Sequence, residues 1–268
     1  MSAWVLVTGG AARLGREIGL TFAKAKWNLI CHYRNSESEA LKLCAEAMSH
    51  GVKAHALHAE LESEESCREL YRRAVQVSNS ELTCIINNAS LFMPDNAHDF
   101  EETQALQQLS VNLVAPMRFG KWFYSTLLDS KHASTKGRQH SPSMVHILDQ
   151  KVFNLNPDYF SYTVSKLALE RIVALQAQSF GAHLRVNAVS PGLLYPSGPQ
   201  NLENFQAASR ANLMGETISA EQVAKSALFL AENSCITGTT LQVDNGQHLV
   251  PSARDIMFVT EKLLTHKE

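Results

Sequence analysis

Tyr162 and Lys166 stand four residues apart in Tyr162-Thr163-Val164-Ser165-Lys166, within a segment whose apolar residues recur at helical spacing. Four residues is about one helical turn, so the phenol and the ammonium share a face. At ~4 Å and an effective dielectric of about 20, the cation favours phenolate by roughly 4 kcal/mol, or about three pK units, bringing a tyrosine toward neutral pH. A tyrosine so tuned can exchange a proton during hydride transfer. The same spacing also describes a surface tyrosine beside a surface lysine.

The turn Thr8-Gly9-Gly10-Ala11-Ala12-Arg13-Leu14-Gly15 lies between an apolar run and a helical pattern. Glycines in that context let the backbone approach a pyrophosphate at a helix N-terminus, although a plain strand-to-helix turn has the same look. About 20 residues further on, where an NAD enzyme offers Asp or Glu to the ribose, the next apolar run ends His32-Tyr33-Arg34-Asn35-Ser36. No carboxylate is there, and Arg13 and Arg34 suit the 2′-phosphate of NADP, against the plainer reading of solvated arginines. Asp149 follows the apolar run Met144 to Leu148, which puts it at the carboxyl end of a strand, where open sheets bind ligands. A turn aspartate would end a strand in the same way. The 11 histidines form neither HExxH nor a cluster beside cysteine, so no metal site is expected.

The elements that must position these residues are short apolar runs alternating with longer helical patterns. Trp4 to Thr8, Trp27 to Tyr33, Val52 to His58, Leu82 to Asn87, Met144 to Leu148, Leu184 to Val189 and Leu241 to Val243 read as strands. Ser36 to Ser49, Ser63 to Val77, Ala105 to Leu128, Tyr162 to Ser179 and Ala220 to Glu232 read as helices. The alternation predicts an α/β fold: a single-domain, doubly wound (Rossmann-type) seven-stranded parallel sheet with helices on both faces. Residues 1–247 form the expected catalytic domain and 248–268 a C-terminal tail. Two segments break the pattern. Ser130 to Ser143 is polar with only three Lys/Arg, a solvated loop rather than a binding patch. Leu194 to Glu216 is a long excursion opened by Pro191-Gly192, of the kind that serves as a lid.

Composition narrows the function classes. With 24 Lys+Arg against 26 Asp+Glu, no basic excess points to nucleic acid or an anionic membrane. Cys31, Cys44, Cys67, Cys84 and Cys235 are odd in number and scattered, without a CxxC pair, as expected of small core residues in a reducing compartment. No apolar run reaches the ~18 residues of a membrane span, and no basic region precedes Trp4 to Val7, so a cytoplasmic address is expected.

The Thr8 to Gly15 turn, Asn87-Asn88-Ala89, Asn112, Tyr162/Lys166 and Ser190-Pro191-Gly192 stand in the order and spacing of the short-chain dehydrogenase/reductase superfamily. The resemblance spans nearly the whole chain. Within it, three features resemble the pteridine reductase branch, which includes dihydromonapterin reductases. Arg13 replaces the usual middle glycine, Asn88-Ala89-Ser90-Leu91-Phe92 extends the NNA motif, and Asp149 lies 13 residues before Tyr162 where most members have Ser.

The resemblance implies NADPH-dependent reduction of a dihydropterin or dihydrofolate to its tetrahydro form. It makes Asp149, Tyr162, Lys166 and Asn112 the catalytic set, with Asn112 ordering a water chain behind the lysine. It carries cofactor contacts to Gly9, Arg13, Leu14, Gly15, His32, Tyr33, Arg34, Asn35, Ser36, Glu60, Leu61, Asn88, Ala89, Ser90, Tyr162, Lys166, Pro191 and Gly192. Substrate contacts fall on Ser90, Phe92, Asp149, Tyr162, Pro191 and Leu193, with Phe92 stacking on the pterin ring. An ionised carboxylate would repel the oxygen of an ordinary ketone substrate, whereas a carboxyl of raised pKa can give or relay a proton to a ring nitrogen. Glu60 departs from the usual adenine-contacting Asp, and Asn245 from a usual Gly. The alternatives are a general carbonyl or 3-oxoacyl reductase and a non-catalytic NADP-sensing protein. By the same resemblance the chain assembles as a homotetramer through Ala105 to Leu128 and Tyr162 to Ser179. In the tail, Ile256, Val259, Leu263 and Leu264 could form an apolar helix face that covers the site or an oligomer interface.

Overall fold

The computed structural model describes residues 3–129, 140–198 and 200–265, with side chains as far as 261. Most of the polar 130–143 loop, and the side chains of Leu263 and Leu264, lie outside the described residues.

Among the described residues, seven parallel strands form one sheet: β1 (Trp4–Val7), β2 (Asn28–Tyr33), β3 (Ala54–His58), β4 (Leu82–Asn87), β5 (Ser143–Ile147), β6 (Arg185–Pro191) and β7 (Thr240–Val243). Their order is β3-β2-β1-β4-β5-β6-β7. β1 pairs with β2 on one side and β4 on the other, so the winding direction reverses between β1 and β4, the place where doubly wound sheets open a crevice. Strands β1, β4, β5 and β6 are buried throughout, because helices cover both faces and leave no side for polar alternation.

Those helices are α1 (Arg13–Lys24), α2 (Glu37–Ser49), α3 (Glu64–Val77), α4 (Glu102–Leu109), α5 (Ala115–Asp129), α6 (Phe160–Phe180), α7 (Leu202–Ala208), α8 (Ala220–Glu232) and α9 (Ile256–Thr265). One apolar layer packs α1, α2 and α8 on the first sheet face, around Phe22, Trp27 and Leu43. The other packs α3, α5 and α6 on the second, around Phe119, Phe123 and Leu70. Cys31, Cys44, Cys67 and Cys84 are buried and unpaired, as small core residues, while Cys235 is exposed.

Three elements refine the sequence reading. The helix expected over Ala105 to Leu128 is broken by a π turn at Ser110–Val114, an insertion that re-aims side chains and often marks a functional site. The 194–216 excursion contains α7, and the tail contains α9, which packs on α7. Among the described residues no helix is long and apolar enough to cross a membrane, and none of their His, Cys, Asp and Glu side chains group to hold a metal ion.

Candidate active site

A cavity of about 590 Å³ opens at the carboxyl ends of the strands, from the Gly9–Gly15 turn at one end to Asp149, Tyr162 and Phe92 at the other. It lies over the β1/β4 reversal, where such sheets bind ligands.

At the first end, Gly9 adopts φ +61, a conformation that glycine takes without steric cost. A Cβ on Gly15 would stand 2.1 Å from the Gly9 carbonyl oxygen and 2.7 Å from Asn88 Nδ2, so helix α1 can begin this close to the turn only without a side chain. Asn88 Nδ2 donates to the carbonyls of Thr8 and Gly9 at 3.0 and 3.1 Å. His32 closes the frame from β2: its Nδ1 accepts from Gly9 N at 2.9 Å while Nε2 faces the Ala59 carbonyl at 3.2 Å. Burial lowers the His32 pKa to about 4, so the ring is neutral at pH 7, with the proton on Nε2.

Arg13 occupies φ +49, a left-handed position that costs a non-glycine residue about 1 kcal/mol or more and recurs at functional sites. Its Nη2 donates to the Pro196 carbonyl at 3.1 Å, and the guanidinium lies 5.4 Å from the centre of the Tyr195 ring. Arg34 is not a free cation: Glu60 and Glu62 stand 3.9 and 3.8 Å away, all three being partly exposed. Leu14, Leu61, Ala89, Ser90, Pro191, Gly192 and Leu193 also line the cavity. Tyr33, Asn35 and Ser36 do not. Strand alternation turns Tyr33 away from His32, toward His58 and Glu37, and Ser36 sits at the start of α2.

At the second end, Tyr162 Oη donates to Asp149 Oδ2 at 2.9 Å. Burial raises the Asp149 carboxyl above its ordinary range, although the Lys151 N–H and the Lys151 and Lys166 charges oppose the rise. Burial and the Asp149 charge hold the Tyr162 phenol well above its ordinary value. This corrects the expectation of a tyrosine tuned downward by its lysine. Lys166 Nζ lies 5.7 Å from the Tyr162 ring centre and donates instead to the Ile147 carbonyl at 2.8 Å, and burial lowers its own pKa to about 8. The phenol's nearest charged partner is an acid, so the proton is retained on the Asp149–Tyr162 pair.

Asn112 is delivered by the π turn. Its Oδ1 accepts from Ser90 Oγ and Leu91 N at 3.1 and 2.8 Å, and its Nδ2 donates to the Leu91 carbonyl and Ser165 Oγ, both at 2.9 Å. An asparagine amide offers two acceptor and two donor places. All four are used, so the Asn112 side chain braces residues 90–92. Phe92, on that segment, is 37% exposed, stacks on Tyr159 at 4.0 Å and meets Tyr162 edge-on at 4.6 Å.

Sequence reasoning missed Lys151, Tyr159, Gln247 and Asp255. Gln247 Oε1 accepts from Leu193 N at 2.9 Å, tying the end of β6 to the tail. Lys151 and Asp255 join at 2.8 Å across 104 residues, a separation without a local signature.

A parallel sheet with a glycine turn over its reversal point and a tyrosine–lysine helix at the same crevice defines the class: a doubly wound, NAD(P)-dependent oxidoreductase. The chain belongs to the short-chain dehydrogenase/reductase family, the model described as enoyl-(acyl carrier protein) reductase matching residues 10–248. It is similar to 3beta-hydroxysteroid dehydrogenase 1 of Eggerthella lenta, at 29% identity over 260 residues, 92% of this chain and 94% of the relative. It is also similar to dihydromonapterin reductase of Citrobacter koseri, at 23% identity over 254 residues, 91% of this chain and 96% of that protein. Among solved structures, FolM alternative dihydrofolate reductase 1 from Brucella canis, complexed with NADP, superposes with a TM-score of 0.81 at 28% identity, covering 92% and 94% of the two chains.

Proposed function

We propose that this protein is an NADPH-dependent pteridine reductase, reducing a dihydropterin of the dihydromonapterin or dihydrobiopterin type, or dihydrofolate, to the tetrahydro form. The observation that carries the reading is the buried Asp149–Tyr162 hydrogen bond of 2.9 Å at the cavity's inner end. The likeness to dihydromonapterin reductase and to FolM supports it.

NADPH supplies the hydride. The side-chain-free Gly9–Gly15 turn fits its pyrophosphate, and Arg13 and Arg34 suit its 2′-phosphate, the carboxylates beside Arg34 being exposed and weakly held. Lys166 anchors the nicotinamide ribose. Phe92 offers its ring to a flat heterocycle, an interaction worth roughly 1–3 kcal/mol per base in nucleic-acid sites. As the reduced ring nitrogen gains electron density it takes one proton from the pair at Asp149 Oδ2 and Tyr162 Oη, and water returns that proton to the pair. Positioning and proton delivery are the protein's contributions.

The similarity to a hydroxysteroid dehydrogenase favours a second reading, a carbonyl reductase. Asp149 opposes it: wherever its carboxyl is ionised, the anion destabilises an oxygen gaining negative charge, a liability that a proton-accepting ring nitrogen does not share. One assay separates them: NADPH oxidation with dihydromonapterin, dihydrobiopterin, dihydrofolate, an acetoacetyl thioester and a 3-ketosteroid side by side. Turnover of a dihydropterin or dihydrofolate supports the proposal, and turnover of the ketones alone overturns it. We further propose that the enzyme acts as a cytoplasmic homotetramer. Leu106, Met117, Leu128 and Leu175 on α4, α5 and α6 are exposed apolar side chains that such an assembly would cover, and a monomeric mass by light scattering would refute the assembly.

A further inference from the structure

Lys151 is an ammonium with 2% of its side chain exposed, two residues beyond Asp149. Its backbone N–H donates to Asp149 Oδ1 at 2.9 Å. Its Nζ donates to Asn156 Oδ1 at 2.9 Å and Asp255 Oδ2 at 2.8 Å, and lies 5.2 Å from the centre of the Tyr159 ring. Tyr159 adopts a left-handed φ of +55 and stacks directly on Phe92. One buried residue therefore touches both the acid pair and the foundation of the stacking face. A buried ion pair is seldom a net gain in stability over apolar packing, so its presence here argues for orientation.

The anion comes from the C-terminal segment, which is fastened at two points. Arg254 forks onto Asp158 with Nε–Oδ2 and Nη2–Oδ1 distances of 2.8 and 2.7 Å, and Asp255 N donates to Asp158 Oδ2 at 2.7 Å. At the second point, Asn204 Nδ2 of α7 donates to the Met257 carbonyl at 2.9 Å. Asp255 and Ile256 themselves line the cavity.

We propose that Lys151 is a positioning residue for the Asp149–Tyr162 pair and for the Tyr159–Phe92 stack, and that Asp255 latches it in place from the C-terminal segment. As regards the acceptor, the inference rests on the pteridine reductase reading. The charged and titratable groups facing Asp149 are Lys151 from its own loop and Tyr162 and Lys166 from α6, with Asp255 of the tail behind Lys151. The Lys151 cation draws the proton off Asp149, and Asp255 partly cancels that pull.

Lys151→Met, Lys151→Arg and Asp255→Asn in the full chain test this. In the pH profile of kcat, the limb on which Asp149 titrates moves to higher pH in Lys151→Met and to lower pH in Asp255→Asn. Lys151→Arg keeps the parent limb. KM for the dihydropterin rises about tenfold in the first and third variants, while the Kd for NADPH stays within about twofold. Limbs that stay put, or that move the same way in both variants, overturn the proposal, because loosened packing has no sign. If wild-type enzyme turns over no dihydropterin or dihydrofolate, the pteridine reading falls and the profile is taken with the acceptor that is reduced. Hydrogen exchange at residues 149–160 needs no acceptor: faster exchange in Asp255→Asn supports the latch, and unchanged exchange overturns it even where Lys151→Met fails to fold.

Discussion

At the Gly9–Gly15 end the cavity wall is mostly main chain, pinned by Asn88 and by a neutral His32, and its charged side chains are exposed. At the Asp149–Tyr162 end the wall is side chain, and its ionisable groups are buried among one another. A main-chain wall depends on what is absent, a Cβ above all, and tolerates no addition. A side-chain wall depends on what is present and fails when an atom is removed. The two ends are therefore broken by opposite kinds of substitution.

The largest effect is expected at the side-chain end. Tyr162→Phe deletes the hydroxyl bonded to Asp149 and should lower kcat by about 10²–10⁴, the usual worth of a positioned proton donor, with Asp149→Asn close behind. Both should leave NADPH binding, measured by fluorescence titration, near the parent value. A Tyr162→Phe enzyme with undiminished kcat would remove the proposed proton source.

Next comes acid stability, because two histidines are held neutral by burial: His32 beside the turn and His146 within β5, both with pKa lowered from 6.5 to about 4. The folded pKa lies below the unfolded one, so the unfolded chain binds more protons. The contribution is whole above about pH 6.5 and lost as pH falls through about 4, roughly 3 kcal/mol for each ring. Denaturation midpoints recorded from pH 7 to pH 4 should fall, less steeply in His32→Asn or His146→Gln.

A smaller effect sharpens the contrast from the main-chain side. Gly15→Ala places a methyl 2.1 Å from the Gly9 carbonyl oxygen, and overpacking of this kind costs about 1–3 kcal/mol. NADPH affinity should fall while the Asp149–Tyr162 geometry survives, the reverse of Tyr162→Phe. The smallest effect, and one of opposite sign for stability, is expected from Arg13→Gly. Relief of the left-handed backbone should add about 1 kcal/mol while NADPH loses its advantage over NADH. Loss of stability without loss of cofactor preference would show that Arg13 serves the Pro196 contact alone.

The same contrast explains what was legible in the sequence. The strands, their parallel order and the glycine turn follow from local periodicity and from residues adjacent in the chain. Asp149, Tyr162 and Lys166 lie within one strand–helix unit, so the sequence placed them at one crevice, but the partner of each proton required the fold. Spacing put Lys166 beside the phenol, whereas the Ile147 carbonyl captures the ammonium and Asp149 captures the hydroxyl. Asn112 was readable as a polar residue in a helix. Its four hydrogen bonds depend on the π turn, which periodicity does not encode. Arg34 looked unopposed because Glu60 and Glu62 belong to the loop after β3, adjacent only once β2 and β3 pair.

The pairing of residue 151 with residue 255 also sets a timetable for the nascent chain. Residue 255 is synthesised 104 positions after residue 151, an interval of roughly 5–20 s at about 5–20 residues per second. Strands β1 to β5 are complete by residue 147, so much of the sheet can pair before the latch exists. Burying the Lys151 ammonium without its anion costs several kcal/mol, which favours a solvated 149–160 loop until residue 255 has been made. The nucleotide crevice can thus take shape during translation, while the acid pair is seated only after residue 255 has joined the chain.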